Sequence, residues 1–172
     1  MNLQDTIRTI EDYPKEGISF KDITTLLKDK TAYKQAIDTM ISNIKARNTI
    51  VDYIVGIEAR GLLLGSAVAY GLGVGFIPAR KPGKLPSEVV SCSYDLEYGS
   101  TAIEIHKDSI EPGSKVIIVD DLLATGGTAA AVESLVLEMG ADLLGFEFLI
   151  ELDFLKGREN LKSTDINVQI HY

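Results

Sequence analysis

The spacing of apolar residues changes period along the chain, and each change predicts an element. Leu3, Ile7 and Ile10 share a helical face over residues 2–11. Asp12 to Lys21 breaks that pattern with Pro14 and Gly17 and predicts a loop. From Thr31, a predicted cap, to about Arg47 the helical period returns, with Ala36, Ile37, Met40, Ile41 and Ile44 inward. Ile50 to Ile57 is a continuous apolar run rich in β-formers. Gly61 to Tyr70 follows as a small-residue helix ended by Gly71 and Gly73. Val74 to Ala79 is the next strand. Residues 80–100 form a polar excursion full of turn formers, and Thr101 to His106 alternates like a strand. After the turn Glu111-Pro-Gly-Ser114, Val116 to Val119 reads as a buried strand of a parallel sheet. Two acids follow that strand, then a small-residue loop. Thr128 to Met139 is a helix with Val132, Leu135, Val136 and Met139 on one face, ending at Gly140. Leu143 to Leu152 and residues 166–171 complete the strands. Strands alternating with helices predict an α/β fold: a mostly parallel twisted sheet with helices on both faces.

At 172 residues the chain is expected to form one domain, 1–172, with a sizeable core. A hydrophobic fraction of 45% and a charged fraction of 24% suit a globular protein. The net charge of −8 argues against a nucleic-acid surface, which needs clustered Lys and Arg. Cys92 has no cysteine partner, so an internal disulfide is excluded and a reducing compartment is expected. No apolar run approaches bilayer length, and the start of the chain lacks a signal-peptide pattern. The expected location is the cytoplasm, with no membrane partner.

The chemistry concentrates around Asp120-Asp121-Leu-Leu-Ala124-Thr125-Gly126-Gly127-Thr128. Glycines let a ligand approach backbone N–H groups, Thr125 and Thr128 add hydroxyls, and the following helix start suits a phosphate dianion. Ionised Asp120 and Asp121 accept from hydroxyls or bind a cation. Phosphate donors beside diol acceptors fit a sugar phosphate. The plain alternative is an ordinary strand–helix turn with a solvated acid pair.

Three further segments add candidates. Gly56-Ile-Glu58-Ala59-Arg60-Gly61 also follows a strand and opens a helix, and its Arg60 suits a pyrophosphate through a bidentate fork. Arg80-Lys81-Pro-Gly-Lys84-Leu-Pro86 crowds three cations into a segment fit for a lid that screens a charged substrate; residues 80–100 are expected to form that flexible lid. Tyr94-Asp95-Leu96-Glu97-Tyr98-Gly99 sets Glu97 among apolar neighbours that raise a carboxyl pKa, as proton exchange with a purine nitrogen requires. Gly71-Leu-Gly-Val-Gly75 does not fit a dinucleotide-binding turn, because it precedes a strand.

Asp120 to Thr128 resembles the phosphoribosyl pyrophosphate loop of type I phosphoribosyltransferases. With Pro14 to Ile23, Gly56 to Gly61, Arg80 to Pro86, Leu96 to Gly99 and Glu147 to Arg158, the chain resembles the adenine phosphoribosyltransferase family over nearly its whole length. The resemblance implies the type I fold with a hood, and transfer of ribose 5-phosphate from phosphoribosyl pyrophosphate to N9 of adenine, giving AMP and pyrophosphate in purine salvage. It implies that Ala124, Thr125, Gly126, Gly127 and Thr128 hold the 5-phosphate, and that Asp120 and Asp121 hold the ribose hydroxyls. Arg60 and Lys84 would hold pyrophosphate, and Glu97, beside Tyr98 at the substrate, would transfer the proton. Segment 12–25 would recognise the base, with Phe20 packing on adenine and Lys21 nearby. Mg²⁺ is the implied cofactor, held mainly through pyrophosphate and ribose hydroxyls, with Asp120 and Asp121 the nearest protein carboxylates. A homodimer is implied, with Arg80 and Lys81 toward the neighbouring site. Lys21 stands where many relatives have arginine, and Leu62 where an aromatic is common. A transferase for hypoxanthine, guanine or xanthine is the nearest rival. A phosphoribosyl pyrophosphate sensor acting on DNA is another, but it should carry a DNA-binding segment and a basic face.

Overall fold

The computed structural model describes residues 1–96 and 99–172. Its centre is a sheet of five parallel strands in the order β4-β3-β7-β8-β9. These are β3 (Tyr53–Ile57), β4 (Gly75–Ala79), β7 (Lys115–Leu123), β8 (Asp142–Glu151) and β9 (Ile166–His171). Two antiparallel pairs stand outside it: β1 (Arg8–Ile10) with β2 (Phe20–Asp22), and β5 (Val89–Asp95) with β6 (Ser100–His106). The helices are α1 (Thr24–Lys28), α2 (Lys30–Ala46), α3 (Arg60–Leu72) and α4 (Gly127–Glu138).

Strand side chains alternate between two cores. Val116 and Ile118 face one core, with α4 residues Val132, Leu135 and Val136 and β6 residues Ile103 and Ile105. Ile117 and Val119 face the other, with Ala36, Met40 and Ile44 of α2 and Leu64 and Val68 of α3. The central run Val116 to Val119 has no exposed surface, so its continuous apolar character follows from cover on both faces.

Several local expectations change. The predicted helix over 2–11 is a single 3-10 turn, Leu3–Thr6, followed by β1. Its apolar spacing is real, since Leu3 and Ile7 are buried, but long-range pairing of Arg8–Ile10 with Phe20–Asp22 decides the backbone. The same pairing turns the end of the predicted Asp12–Lys21 loop into strand. The cap of α2 is Asp29 rather than Thr31: its carboxylate accepts from the N–H groups of Thr31 at 2.8 Å and Ala32 at 2.9 Å. Residues 50–52 stay outside β3, with Ile50 78% exposed. A third of the 80–100 excursion is the strand β5, where Val90, Cys92 and Tyr94 alternate inward among turn-forming residues. Finally, Asp120 and Asp121 lie inside β7, because pairing with β8 continues to Leu123.

The strand order fixes where a ligand binds. From β3 the chain leaves through α3 to β4 on one side; from β7 it leaves through α4 to β8 on the other. The two connections diverge between neighbouring strands, which opens a crevice at their C-terminal ends. The loops after β3 and β7 leave their strands there, and the start of α3 meets Asp120 and Asp121.

Candidate active site

The loop after β7 turns on Gly126, which has φ 83°. A Cβ there would stand 2.4 Å from the Gly157 carbonyl oxygen, and one on Gly157 would stand 2.3 Å from that of Ala124. The two backbones are therefore in direct contact, and only glycine fits at either position. Asn160 Nδ2 donates to the Thr125 carbonyl at 2.6 Å and braces the same loop. Gly126 supplies no side-chain cap, which leaves the first N–H groups of α4 without an acceptor from that position, as an anion site requires. Thr128 Oγ1 lies 3.0 Å from the Tyr94 hydroxyl. A cavity of about 430 Å³ lies between this turn and β5, lined by Tyr94, Asp95, Thr125, Gly127 and Asn160 among others.

The loop after β3 approaches from the other strand. The peptide between Glu58 and Ala59 is cis. A Cβ on Gly61 would stand 2.6 Å from Asp120 Oδ1, so the start of α3 presses on the acid pair. Arg60 Nε lies 2.7 Å from Asp121 Oδ2, and its guanidinium sits 5.2 Å from the Phe20 ring centre. Asp120 Oδ1 accepts from the Asp121 N–H at 2.8 Å. Burial, reinforced by the neighbouring Asp121, pushes the Asp120 carboxyl well above the usual range. Burial also raises Asp121, against the pull of Arg60. The sequence offers both acids hydroxyl donors or a cation as partners; in the fold the cation beside Asp121 is the Arg60 guanidinium.

Phe20 and Lys21 come from β2. Phe20 meets Tyr13 edge-on at 5.2 Å and Arg60 on its other approach. Lys21 Nζ contacts Thr9 and Ser19 hydroxyls, each at 3.2 Å, and lies 4.2 Å from the Tyr172 ring centre. Arg80 Nη2 pairs with Glu58 at 2.7 Å, while the Lys81 N–H donates to the same carboxylate at 2.6 Å. Burial favours a raised Glu58 pKa, but these donors outweigh it and hold the carboxyl below its ordinary value. Lys84 is exposed, in a turn closed by its N–H to the Lys81 carbonyl. Glu97 and Tyr98 lie outside the described residues.

The structure thus brings together Asp120, Asp121, Ala124 to Thr128, Arg60 and Phe20. Arg80, Lys81 and Lys84 stand at the end of β4. Sequence reasoning missed Tyr94, Gly157 and Asn160. Gly157 was visible as the glycine of Leu155-Lys-Gly-Arg158, but its contact with Ala124 depends on tertiary approach.

The residue range 24–170 matches the phosphoribosyl transferase domain family. An adenine phosphoribosyltransferase of Clostridium tetani (strain Massachusetts / E88) is 54% identical over 172 residues, spanning 100% of this chain and 99% of that protein. The chain belongs to the adenine phosphoribosyltransferase family. One from Clostridium perfringens (strain SM101 / Type A) is 56% identical over the same coverage. The crystal structure of the Thermoanaerobacter pseudethanolicus adenine phosphoribosyltransferase superposes with a TM-score of 0.94 at 48% identity, covering 99% of this chain and 98% of that one. The Saccharomyces cerevisiae enzyme, solved with adenine and an imino-altritol bisphosphate, gives 0.94 at 43% identity, over 97% and 96% of the two chains.

Proposed function

We propose that the crevice between β3 and β7 binds phosphoribosyl pyrophosphate and adenine as follows. The protein is an adenine phosphoribosyltransferase enzyme that forms AMP and pyrophosphate in purine salvage. The observation that carries the site reading is the Gly126–Gly157 backbone contact, which holds an uncapped helix start open beside two acids. The N–H groups and hydroxyls of Ala124 to Thr128 take the 5-phosphate. Asp120 and Asp121 accept from the ribose hydroxyls, and Arg60 bridges this acid pair to Phe20, over which the base packs. Lys84 and Arg60 neutralise departing pyrophosphate, and Glu97 exchanges the proton of the base. Reaction proceeds through an oxocarbenium-like transition state, with no covalent enzyme intermediate and therefore no nucleophile to assign.

Mg²⁺ fits this donor set: two adjacent carboxylates are hard oxygen ligands, and the ion usually binds one or two of these together with substrate phosphates. When bound it would neutralise pyrophosphate charge, with Asp120 and Asp121 the nearest protein carboxylates. The working unit is a homodimer, supported by Leu63 and Tyr70, 50% and 91% exposed and seven residues apart along α3. Arg80 and Lys81 then face the neighbouring site. None of the described helices is long and apolar enough to cross a membrane, and a cytoplasmic location is the reading this favours.

The direct test is AMP formation from adenine, phosphoribosyl pyrophosphate and Mg²⁺, with hypoxanthine and guanine as controls. Turnover with adenine alone is expected. Faster turnover with another purine overturns the base assignment.

A further inference from the structure

Tyr94 touches the phosphate loop from outside it. Its place is set by β5, where alternation turns Val90, Cys92 and Tyr94 toward α4. Its ring rests on the first turn of that helix: a Cβ on Gly127 would lie 3.5 Å from Tyr94 Cδ2, an ordinary packing distance. Its hydroxyl lies 3.0 Å from Thr128 Oγ1. The ring is half-buried, so the hydroxyl is carried by a packed strand and not by a swinging side chain.

Each hydroxyl has one hydrogen and two acceptor positions. If Thr128 donates to Tyr94, its hydrogen points away from the helix start. If Tyr94 donates to Thr128, the threonine hydrogen is freed for an acceptor in front of the α4 amides. A phosphate dianion there selects the second arrangement, because it offers only acceptors. We propose that Tyr94 is a positioning residue for the sugar-phosphate end of the substrate, orienting the Thr128 hydroxyl by donating to it. The inference rests on the reading of Ala124 to Thr128 as the 5-phosphate site.

Tyr94→Phe removes one oxygen and keeps the ring. Titration calorimetry with ribose 5-phosphate and with adenine separates the two halves of the site. Loss of one hydrogen bond to a charged acceptor's partner predicts a Kd for ribose 5-phosphate weaker by about five- to tenfold, with adenine affinity held within about twofold. In steady state the effect falls on KM for phosphoribosyl pyrophosphate and leaves kcat in place. Thr128→Ala abolishes the sensitivity, so that Tyr94→Phe adds nothing to it, whereas Thr128→Ser preserves it. Unchanged ribose 5-phosphate affinity in Tyr94→Phe overturns the proposal, as do additive effects with Thr128→Ala or equal weakening of adenine. If the unmodified protein binds ribose 5-phosphate but Thr128→Ala and Gly126→Ala both leave that affinity intact, the phosphate-site reading itself is wrong and this inference falls with it.

Discussion

Arg60 Nε stands 2.7 Å from Asp121 Oδ2, joining the start of α3 to the last residues of β7. The pair spans the two strands between which the crevice opens. Burial raises the Asp121 carboxyl, and the guanidinium works against that rise. Arg60→Ala is expected to reduce turnover by at least about a hundredfold, the usual cost of one preorganised donor at a developing charge. It also shifts the acid limb of the rate profile. A carboxyl needed in ionised form loses activity as pH falls through its pKa, and without Arg60 that pKa moves up, so the limb moves to higher pH. Steady-state kinetics from pH 5 to 9 read both effects. Near-normal turnover removes Arg60 from the mechanism.

Gly157 carries the second prediction. A methyl there would meet the Ala124 carbonyl oxygen at 2.3 Å and Leu123 Cδ1 at 3.0 Å. Backbone cannot yield as a side-chain tip can, so Gly157→Ala displaces the phosphate loop or the 152–161 segment. Overpacking of this kind costs about 1–3 kcal/mol. Thermal melts with and without ribose 5-phosphate should show a lower Tm and a smaller ligand-induced rise. A variant that keeps the full ligand-induced rise shows the loop indifferent to its support.

How far the chain could be read before folding depends on the range of the interaction. The parallel core was legible because Val116 to Val119 is apolar on both faces, a local pattern with one explanation, and because Phe146, Phe148, Leu149 and Ile150 make β8 apolar around the single acid Glu147. The phosphate loop was legible because glycines, threonines and acids are contiguous. Leu3 and Ile7 misled because a 3-10 turn followed by a strand can bury the same spacing as a helix. Arg60's partner was not legible: Glu58, two residues away, is taken by Arg80 and Lys81, and Asp121 arrives from another strand. Tyr94 and Asn160 were hidden for the same reason, since their partners are 34 and 35 residues distant.

Lys21 gains a role that differs from base contact. Its ammonium is occupied by Thr9, Ser19 and the face of Tyr172, tying β2 to the strand-end side of β9. A cation over an aromatic face contributes about 0.5–1 kcal/mol at exposed sites. Lys21→Ala should loosen the segment carrying Phe20, raising KM for adenine severalfold while leaving KM for phosphoribosyl pyrophosphate unchanged. Tyr172→Leu should reproduce that selectivity. A change in phosphoribosyl pyrophosphate affinity alone contradicts it.

Away from the crevice, Glu147 is fully buried on β8 and accepts from Arg47 Nη1 at 2.8 Å, Asn167 at 2.7 Å and Asn43 at 3.1 Å. Arg47 also forks onto Asp165. Removing one member of a buried pair leaves an uncompensated charge, which costs about 3–5 kcal/mol. Arg47→Met should therefore lower the urea midpoint sharply while kcat at 25 °C is retained by the folded fraction. Arg47→Met together with Glu147→Gln should recover part of the loss. Equal loss of kcat and stability would place this network in the catalytic machinery instead.

Asp22 gives a stability that depends on acid. It is 6% exposed at the end of β2, and its pKa falls from 3.8 to about 2. The causes are hydrogen bonds from Thr24 first, its N–H at 2.9 Å among them, and then the Arg8 guanidinium. The native state binds the proton less readily than the unfolded chain, so stability rises with pH across this interval. The contribution is complete above pH 3.8 and disappears as pH falls through about 2. Asp22→Asn should be less stable than the parent by a constant margin at pH 5 to 7, and the margin should close on acidification toward pH 2. Denaturant titrations at several pH values measure it. A margin that persists unchanged at low pH would assign the loss to packing of the β1–β2 pair and not to the ionised carboxylate.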